Sequence, residues 1–314
     1  GDPVTVIVGP NPFESLAALP DVHIPLTLTV LSPISHGAGT SGNTQLLRTR
    51  EVVGPDGSRA SVPYVSGNSL RHTLRAALAW HLVRTLEVED GSLSKRTVDL
   101  LWSGGALTTT GNQADLDMIR RVHQLVPGLG LFGYSAKSDI TAGTLWVDDV
   151  ELVCAENAHR LPPRLADHPH ASMPNGAFRS EVFGTRHDVL GTPVDRFIKT
   201  ADELVGGMES VQMIHDMQVI KPGATLYTGL HLVAPTFGHL AAFAAAWNEA
   251  VPLVDGRDVI NLGGKRSVGY GQCEVTIVEA WDLPFQTSEL VAAYETHLRD
   301  HRAEILTLLE EITG

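Results

Sequence analysis

Cysteine is nearly missing: the 314 residues hold two, Cys154 and Cys273, far apart and neither in a Cys-x-x-Cys pair. That excludes a disulfide framework and a thiolate zinc site, and it points to a reducing, cytoplasmic setting. Long apolar runs are missing too. No stretch of eighteen apolar residues occurs, so no membrane span is expected. The opening Gly1-Asp2-Pro3 has neither the basic flank nor the apolar stretch of a secretory signal. Positive charge is scarce, with 23 Lys and Arg against 36 Asp and Glu, a formal net charge of -13. Taken over the whole chain, that deficit opposes nucleic acid, whose phosphates are held by cations that displace counterions. Net charge governs solubility and long-range steering, however, and a local basic groove can coexist with it. The acidic stretch from Glu274 to Glu311 holds part of the excess. No Gly-x-Ser-x-Gly elbow and no His-Glu-x-x-His pair occurs.

What is present is ordinary globular material, 43% hydrophobic and 19% charged, read here as one elaborated domain over 1–314. Ile24, Leu26, Leu28 and Val30 alternate with Pro25, Thr27 and Thr29, the period of a strand. A polar, glycine-rich connection follows from Ser32 to Asn68. Ser66 or Asn68 caps a helix through Val83, with Leu70, Leu74, Ala77, Leu78 and His81 on one face. A second helical pattern runs from Gln113 to Val126 and stops at Pro127. A strand is expected near Thr144–Val153. The segment Glu156–Asp195 has no clear period, and with the strand-like Ile214–Ile220 it forms an insertion over about 156–222. The turn Lys221-Pro222-Gly223-Ala224 leads to a strand at Thr225–Val233, an alanine-rich helix at Phe237–Ala250, and a last strand through Cys273, Val275 and Ile277. An amphipathic helix over about 285–314 closes the chain. The core order is strand, helix, strand, strand, helix, strand. That is an α+β, ferredoxin-like (RRM-type) βαββαβ order with large insertions, including a thumb-like β excursion.

Three segments could carry chemistry. Asn261–Gln272, NLGGKRSVGYGQ, fails as a dinucleotide fingerprint because a strand follows it and a helix precedes it. It fails as a phosphate-binding P-loop because Val259 stands where the first Gly belongs and Arg266 follows Lys265. It remains either a close backbone approach to phosphate, through Gly263, Gly264, Lys265, Arg266 and Ser267, or a flexible turn with two surface cations. In Pro63–Arg75, PYVSGNSLRHTLR, the helix start Ser66, Gly67, Asn68 and Ser69 favours an anion, and Arg71 and Arg75 share a face. Read alone, it is an ordinary capped helix with solvated arginines. Pro33–Arg50 is a donor-rich loop, with His36, Gly37, Asn43, Arg48 and Arg50, or simply a surface loop.

These segments occur together and in order, and in that the chain resembles the RAMP superfamily, specifically the CRISPR "Cas seven" backbone subunits of type III and type IV complexes. The Gly263–Gly271 loop before the last strand resembles the superfamily's signature loop, and VPYVSGNSLRHTLR its first-helix motif. Leu131-Phe132-Gly133 with Gly143-Thr144-Leu145 is similar to its central strand approach. Asp195-Arg196 and QVIKPGATL, from Gln218 to Leu226, resemble the segment around its thumb. The resemblance implies a subunit that stacks with copies of itself along a CRISPR guide RNA, beside other effector subunits, and meets a complementary target nucleic acid through the guide. It implies RNA contacts at His36, Gly37, Asn43, Arg48, Arg50, Ser66, Gly67, Asn68, Ser69, Arg71, Arg75, Arg196, Lys199, Gly263, Gly264, Lys265, Arg266 and Ser267, with no cofactor, no metal and no membrane.

One departure matters. Type III relatives cut target RNA with an aspartate after the first strand, whereas Ile24 to Arg50 contains no Asp or Glu. Asn43 and Gln45 stand there, and amides cannot act as carboxylates. No catalytic residue is therefore expected, which tilts the resemblance toward type IV. Two alternatives stay open: an endoribonuclease of the same superfamily using His36 or His72, and an unrelated α+β protein whose glycine loop binds a small phosphorylated ligand. His159, His168, His170 and His187 match no familiar metal spacing and are read as a polar loop. Met208, Met213 and Met217 are read as core.

Overall fold

The alternation around Ile24 becomes β1 (Val22–Val30), in which Val22, Ile24, Leu26, Leu28 and Val30 are each no more than 3% exposed. Successive side chains of a strand point to opposite faces, so His23, Pro25, Thr27 and Thr29 share the other side. Burying each aliphatic side chain of that row contributes roughly 1.5–3 kcal/mol. The structure, a computed structural model, describes residues 9–41, 44–107, 116–137, 139–189, 196–198, 210–264, 266–278, 283 and 285–314.

After β1 come β2 (Gly37–Ser41), β3 (Thr44–Leu47), β4 (Thr49–Val53) and β5 (Arg59–Val65), then α1 (Gly67–Thr85) and α2 (Lys95–Ser103). Next are α3 (Leu116–Leu125), α4 (Pro127–Phe132), β6 (Gly133–Ala136), β7 (Asp139–Ala142), β8 (Leu145–Val147) and β9 (Val150–Leu152). Short 3-10 turns lead into β10 (Arg179–Val189), β11 (Ser210–Ile220) and β12 (Thr225–Leu232). The chain ends with α5 (Phe237–Ala250), β13 (Leu253–Val254), β14 (Arg257–Asn261), β15 (Gln272–Ile277), α6 (Thr287–Asp300) and α7 (Arg302–Thr313).

The middle of the main sheet runs β15-β1-β12-β9, with β1 antiparallel to both neighbours (Leu28 faces Leu226 on one side and Val275 on the other). With α1 after the first strand and α5 after the third, this is a ferredoxin-like core in the spatial order fourth, first, third, second. β8 also pairs with β12, so the second core strand is shared between β8 and β9. β14 and β13 extend the sheet beyond β15, and β5 and β4 extend it beyond β9.

α1 starts where the Ser66 hydroxyl accepts the Ser69 N–H at 3.2 Å, and Leu70, Leu74, Leu78 and Leu82 are buried at four-residue spacing. α5 is buried continuously from Phe237 to Trp247, as a helix apolar on all sides must be. The thumb-like excursion is the β10–β11 hairpin, in register from Arg179–Ile220 to Val189–Ser210. Eleven residues per strand give it a reach of roughly 35 Å at about 3.3 Å per residue. Its base is fastened at Ile34–Ile220, and β11 runs parallel to β3.

Three expectations need correction. The stretch Ser32–Asn68, expected as a connection, holds four strands; β2 (GAGTS) and β3 (TQLL) show no alternation of apolar and polar residues to detect. The aperiodic Glu156–Asp195 contains 3-10 turns and then β10, a strand fixed by its partner β11. The single C-terminal helix is two, because His301 at φ -114 and ψ 22 interrupts it. Residues 113–115 of the second helical pattern lie outside the described residues, as do Asp195 and Met208. Cys154 and Cys273 are free and buried, and burial pushes both thiols up to about 12. Among the described residues no helix is long and apolar enough to cross a membrane, and no three His, Cys, Asp or Glu side chains converge as for a metal ion.

Candidate nucleic-acid interface

Three stretches distant in sequence meet beside the first half of α1. The glycine-rich loop docks on the exit of β1: the Gly264 N–H donates to the Ser35 carbonyl at 2.8 Å, and the Gly271 N–H to the Pro33 carbonyl at 2.8 Å. The fit is tight enough to demand glycine. At Gly263, φ +76, a Cβ would stand 2.4 Å from the Ser35 oxygen, and at Gly271, φ +83, 2.0 Å from the Leu262 oxygen. The loop then reaches α1, where the Arg266 guanidinium donates to the Thr73 hydroxyl. From the other side, His36 Nε2 accepts the Ser66 N–H at 3.2 Å, and its carbonyl accepts the Arg48 N–H at 2.8 Å. Burial, then Arg48, lower the His36 ring below the ordinary histidine value against the opposing pull of Asp149, so the ring is neutral at pH 7.

The start of α1 is already satisfied by the protein itself. Asp149 accepts the Gly67 N–H at 2.7 Å and pairs with Arg50. A side chain at Gly67 would meet the Val147 oxygen at 2.3 Å, so glycine is what lets the end of β8 come this close. Burial alone would raise the Asp149 carboxyl, but the Gly67 N–H and the Arg50 guanidinium outweigh it and hold it below the usual range. Arg50 also pairs with Glu151 at 2.9 Å and lies 4.1 Å over the Tyr64 ring. The donors expected to be free for phosphate are thus partly taken: Gly67 by Asp149, Ser69 by Ser66.

Arg71 and Arg75 turn inward. Arg71 donates to the carbonyls of Phe132 and Leu145, and Arg75 to those of Phe132 at 2.8 Å and Gly133 at 3.3 Å. Phe132 ends α4, where helix carbonyls lack partners and carry partial negative charge. Burial, then Arg71, lower the Arg75 guanidinium to about 10. The pair fastens α1 to α4.

On the open side, Asn68 and His72 are exposed one turn apart on α1. Burial, then Arg266 and Arg75, lower the His72 ring, which places two cations around it. The Arg48 guanidinium has no hydrogen-bond or ion-pair partner among the described residues. Gly37 lies on β2, under Gln45. Ser267 lies in the turn Arg266–Val268, and Asn43, Lys199 and Lys265 fall outside the described residues. Arg196 is elsewhere. It lies 4.7 Å over Phe197 and 5.5 Å over Trp80, with Asp90 at 4.0 Å. Trp80 is thirteen residues beyond Gly67, roughly 20 Å along the helix. The structure therefore brings together His36, Arg48, Ser66, Gly67, Asn68, Gly263, Gly264 and Arg266, and leaves Arg196 at the far end of α1. Sequence reasoning missed Asp149, since a lone aspartate after a short strand carries no pattern.

No protein-family model and no curated protein matches the chain. Among solved structures, a chain of a "Type IV-B CRISPR Complex" matches with a TM-score of 0.54 and 21% identity, over 86% of this chain and 97% of that one. At that identity the likeness is one of fold.

Proposed function

We propose that the chain is a guide-RNA-binding backbone subunit of a CRISPR effector complex, that its copies stack head to tail along the RNA, and that it does not itself cut. The observation that carries this reading is the meeting of residues 33–36, 66–73 and 262–271 along α1, in a chain with the fold of a type IV-B CRISPR complex chain. Arg48, Asn68 and Arg266 supply phosphate and sugar contacts, and the exposed Gly264 allows a close backbone approach. Contacts of that kind fix a strand's position without reading its bases, as a protein serving many guides requires. Arg71 and Arg75 support the furrow from beneath. The β10–β11 hairpin is long enough to reach a neighbouring copy, and a head-to-tail interface that does not close grows as an open helix. Other effector subunits and a complementary target, met through the guide in the cytoplasm, complete the assembly.

Two features support a role without cleavage. The carboxylate at the start of α1, Asp149, is committed to Gly67 and Arg50. His36 Nε2 already accepts a main-chain N–H, so it is not free to take a proton. The test is native mass spectrometry of the chain with guide RNAs of increasing length. Mass should grow in steps of 33.7 kDa with the RNA intact. A lone RNA-free chain unmoved by guide at low salt, or shortened RNA, would overturn the reading.

A further inference from the structure

The face of the main sheet that carries His23, Pro25 and Thr27 contains a hollow of roughly 600 Å³, within the size range of small-molecule sites. It exists because Gly229 stands opposite Pro25 in register. A Cβ at Gly229 would lie 2.9 Å from Asp148 Oδ2 and 3.2 Å from His231 Nε2. Two residues away along β12 in each direction, His231 and Tyr227 stand up on the same face, leaving a slot about 13 Å long between their Cα positions.

One wall is a chain of hydrogen bonds. His231 Nε2 is 2.8 Å from Asp148 Oδ2, and His231 Nδ1 is 2.8 Å from His23 Nδ1. The carboxylate only accepts, so with neutral rings His231 donates from Nε2 and accepts at Nδ1. His23 Nε2 is then left as an acceptor at the lip. The other wall is Tyr227 and its register partner Glu151. Glu151 is 6% exposed; its Oε1 takes Arg50 at 2.9 Å and Arg160 at 3.2 Å, while Oε2 has no hydrogen-bond partner among the described residues. A buried carboxylate oxygen is costly to leave unpaired. Three guanidiniums, Arg50, Arg160 and Arg164, border the same space and repel an ammonium. The chemistry that fits is a flat, neutral N–H donor attached to an anion.

We propose that this hollow is a nucleotide site that seats one base over Gly229, with its amino edge on Glu151 and its phosphate toward Arg160 and Arg164. Carboxylates accept from cytosine and other exocyclic amines in this way. The hollow shares Arg50 and Asp149 with the start of α1, but Arg48, Asn68 and Arg266 do not border it, so either site can fail without the other.

Trp146, 67% exposed and the register partner of His231, reports occupancy by fluorescence. CMP, AMP, GMP, UMP and a single-stranded RNA tetranucleotide are titrated into the full chain. CMP should quench, and Glu151→Gln and Gly229→Val should each weaken it by about tenfold, the loss of one well-placed contact. Arg164→Gln, a change at the rim, keeps the test open if Gly229→Val does not fold. A tetranucleotide bound about tenfold tighter than CMP assigns the base to a strand, and equal binding assigns it to a free nucleotide. Absence of nucleotide binding, binding indifferent to all three variants, or preferential binding of N-acetyl-lysinamide overturns the proposal. So does mononucleotide affinity that follows Arg48→Ala, because the ligand would then lie in the furrow.

Discussion

Two arginines one helical turn apart, Arg71 and Arg75, have their guanidiniums on main-chain carbonyls at the end of α4. Arg71→Ala takes the guanidinium donor from the Leu145 oxygen, while the Phe132 oxygen keeps Arg75, and a buried acceptor left unpaired costs about 1–3 kcal/mol. Urea unfolding should show a loss of that size. Arg48 offers the contrast, since among the described residues none bonds to its guanidinium. Arg48→Ala should change stability by less than about 0.5 kcal/mol, yet weaken RNA uniformly across sequences. It should also flatten the dependence of log K on log salt by about 0.7, one single-strand phosphate contact. An unchanged slope would remove Arg48 from the interface. The two residue types are identical in sequence; what separates them is the element each one faces.

At the scale of elements, the start of α5 is a pH-sensitive junction. The Thr236 hydroxyl accepts the His239 N–H, and His239 Nδ1 accepts the Thr236 N–H. Nε2 therefore carries the proton, and it lies 3.1 Å from His123 Nδ1. Burial, then His123, push His239 from 6.5 down to about 4. The unfolded chain takes up this proton at higher pH than the folded one. The stabilisation is therefore complete above about 6.5 and is lost as pH falls toward 4. The melting temperature should drop across that window, and His239→Asn should make the drop shallower; a profile flat from pH 7 to 4 would refute the account. The same elements show what sequence can and cannot reveal. β1 and α1 were legible because one side of each is buried, which stamps a period of two or of 3.6 on the apolar residues. β2, β3 and β10 were not, because their place depends on hydrogen bonds to distant partners rather than on an apolar face. The furrow was half legible: the glycines and caps mark it, but the inward turn of Arg71 and Arg75 is decided by where α4 ends.

Over the whole molecule, a net charge of -13 surrounds the proposed RNA-binding stretch, beside which Asp149 pairs with Arg50. Guide association should therefore fall steeply with salt, and competing acidic surfaces should suppress binding to unrelated polyanions such as heparin. Equal affinity for heparin and guide at physiological salt would show that charge alone recruits the strand. The layout of the main sheet has a further consequence, for the chain's birth on the ribosome. β1 sits between β12 and β15, so the strand at the centre is translated long before either flank. At about 5–20 residues per second, some 10–40 seconds separate Val30 from Thr225. Through that interval Val22, Ile24, Leu26, Leu28 and Val30 wait unclothed, a natural target for a cotranslational chaperone.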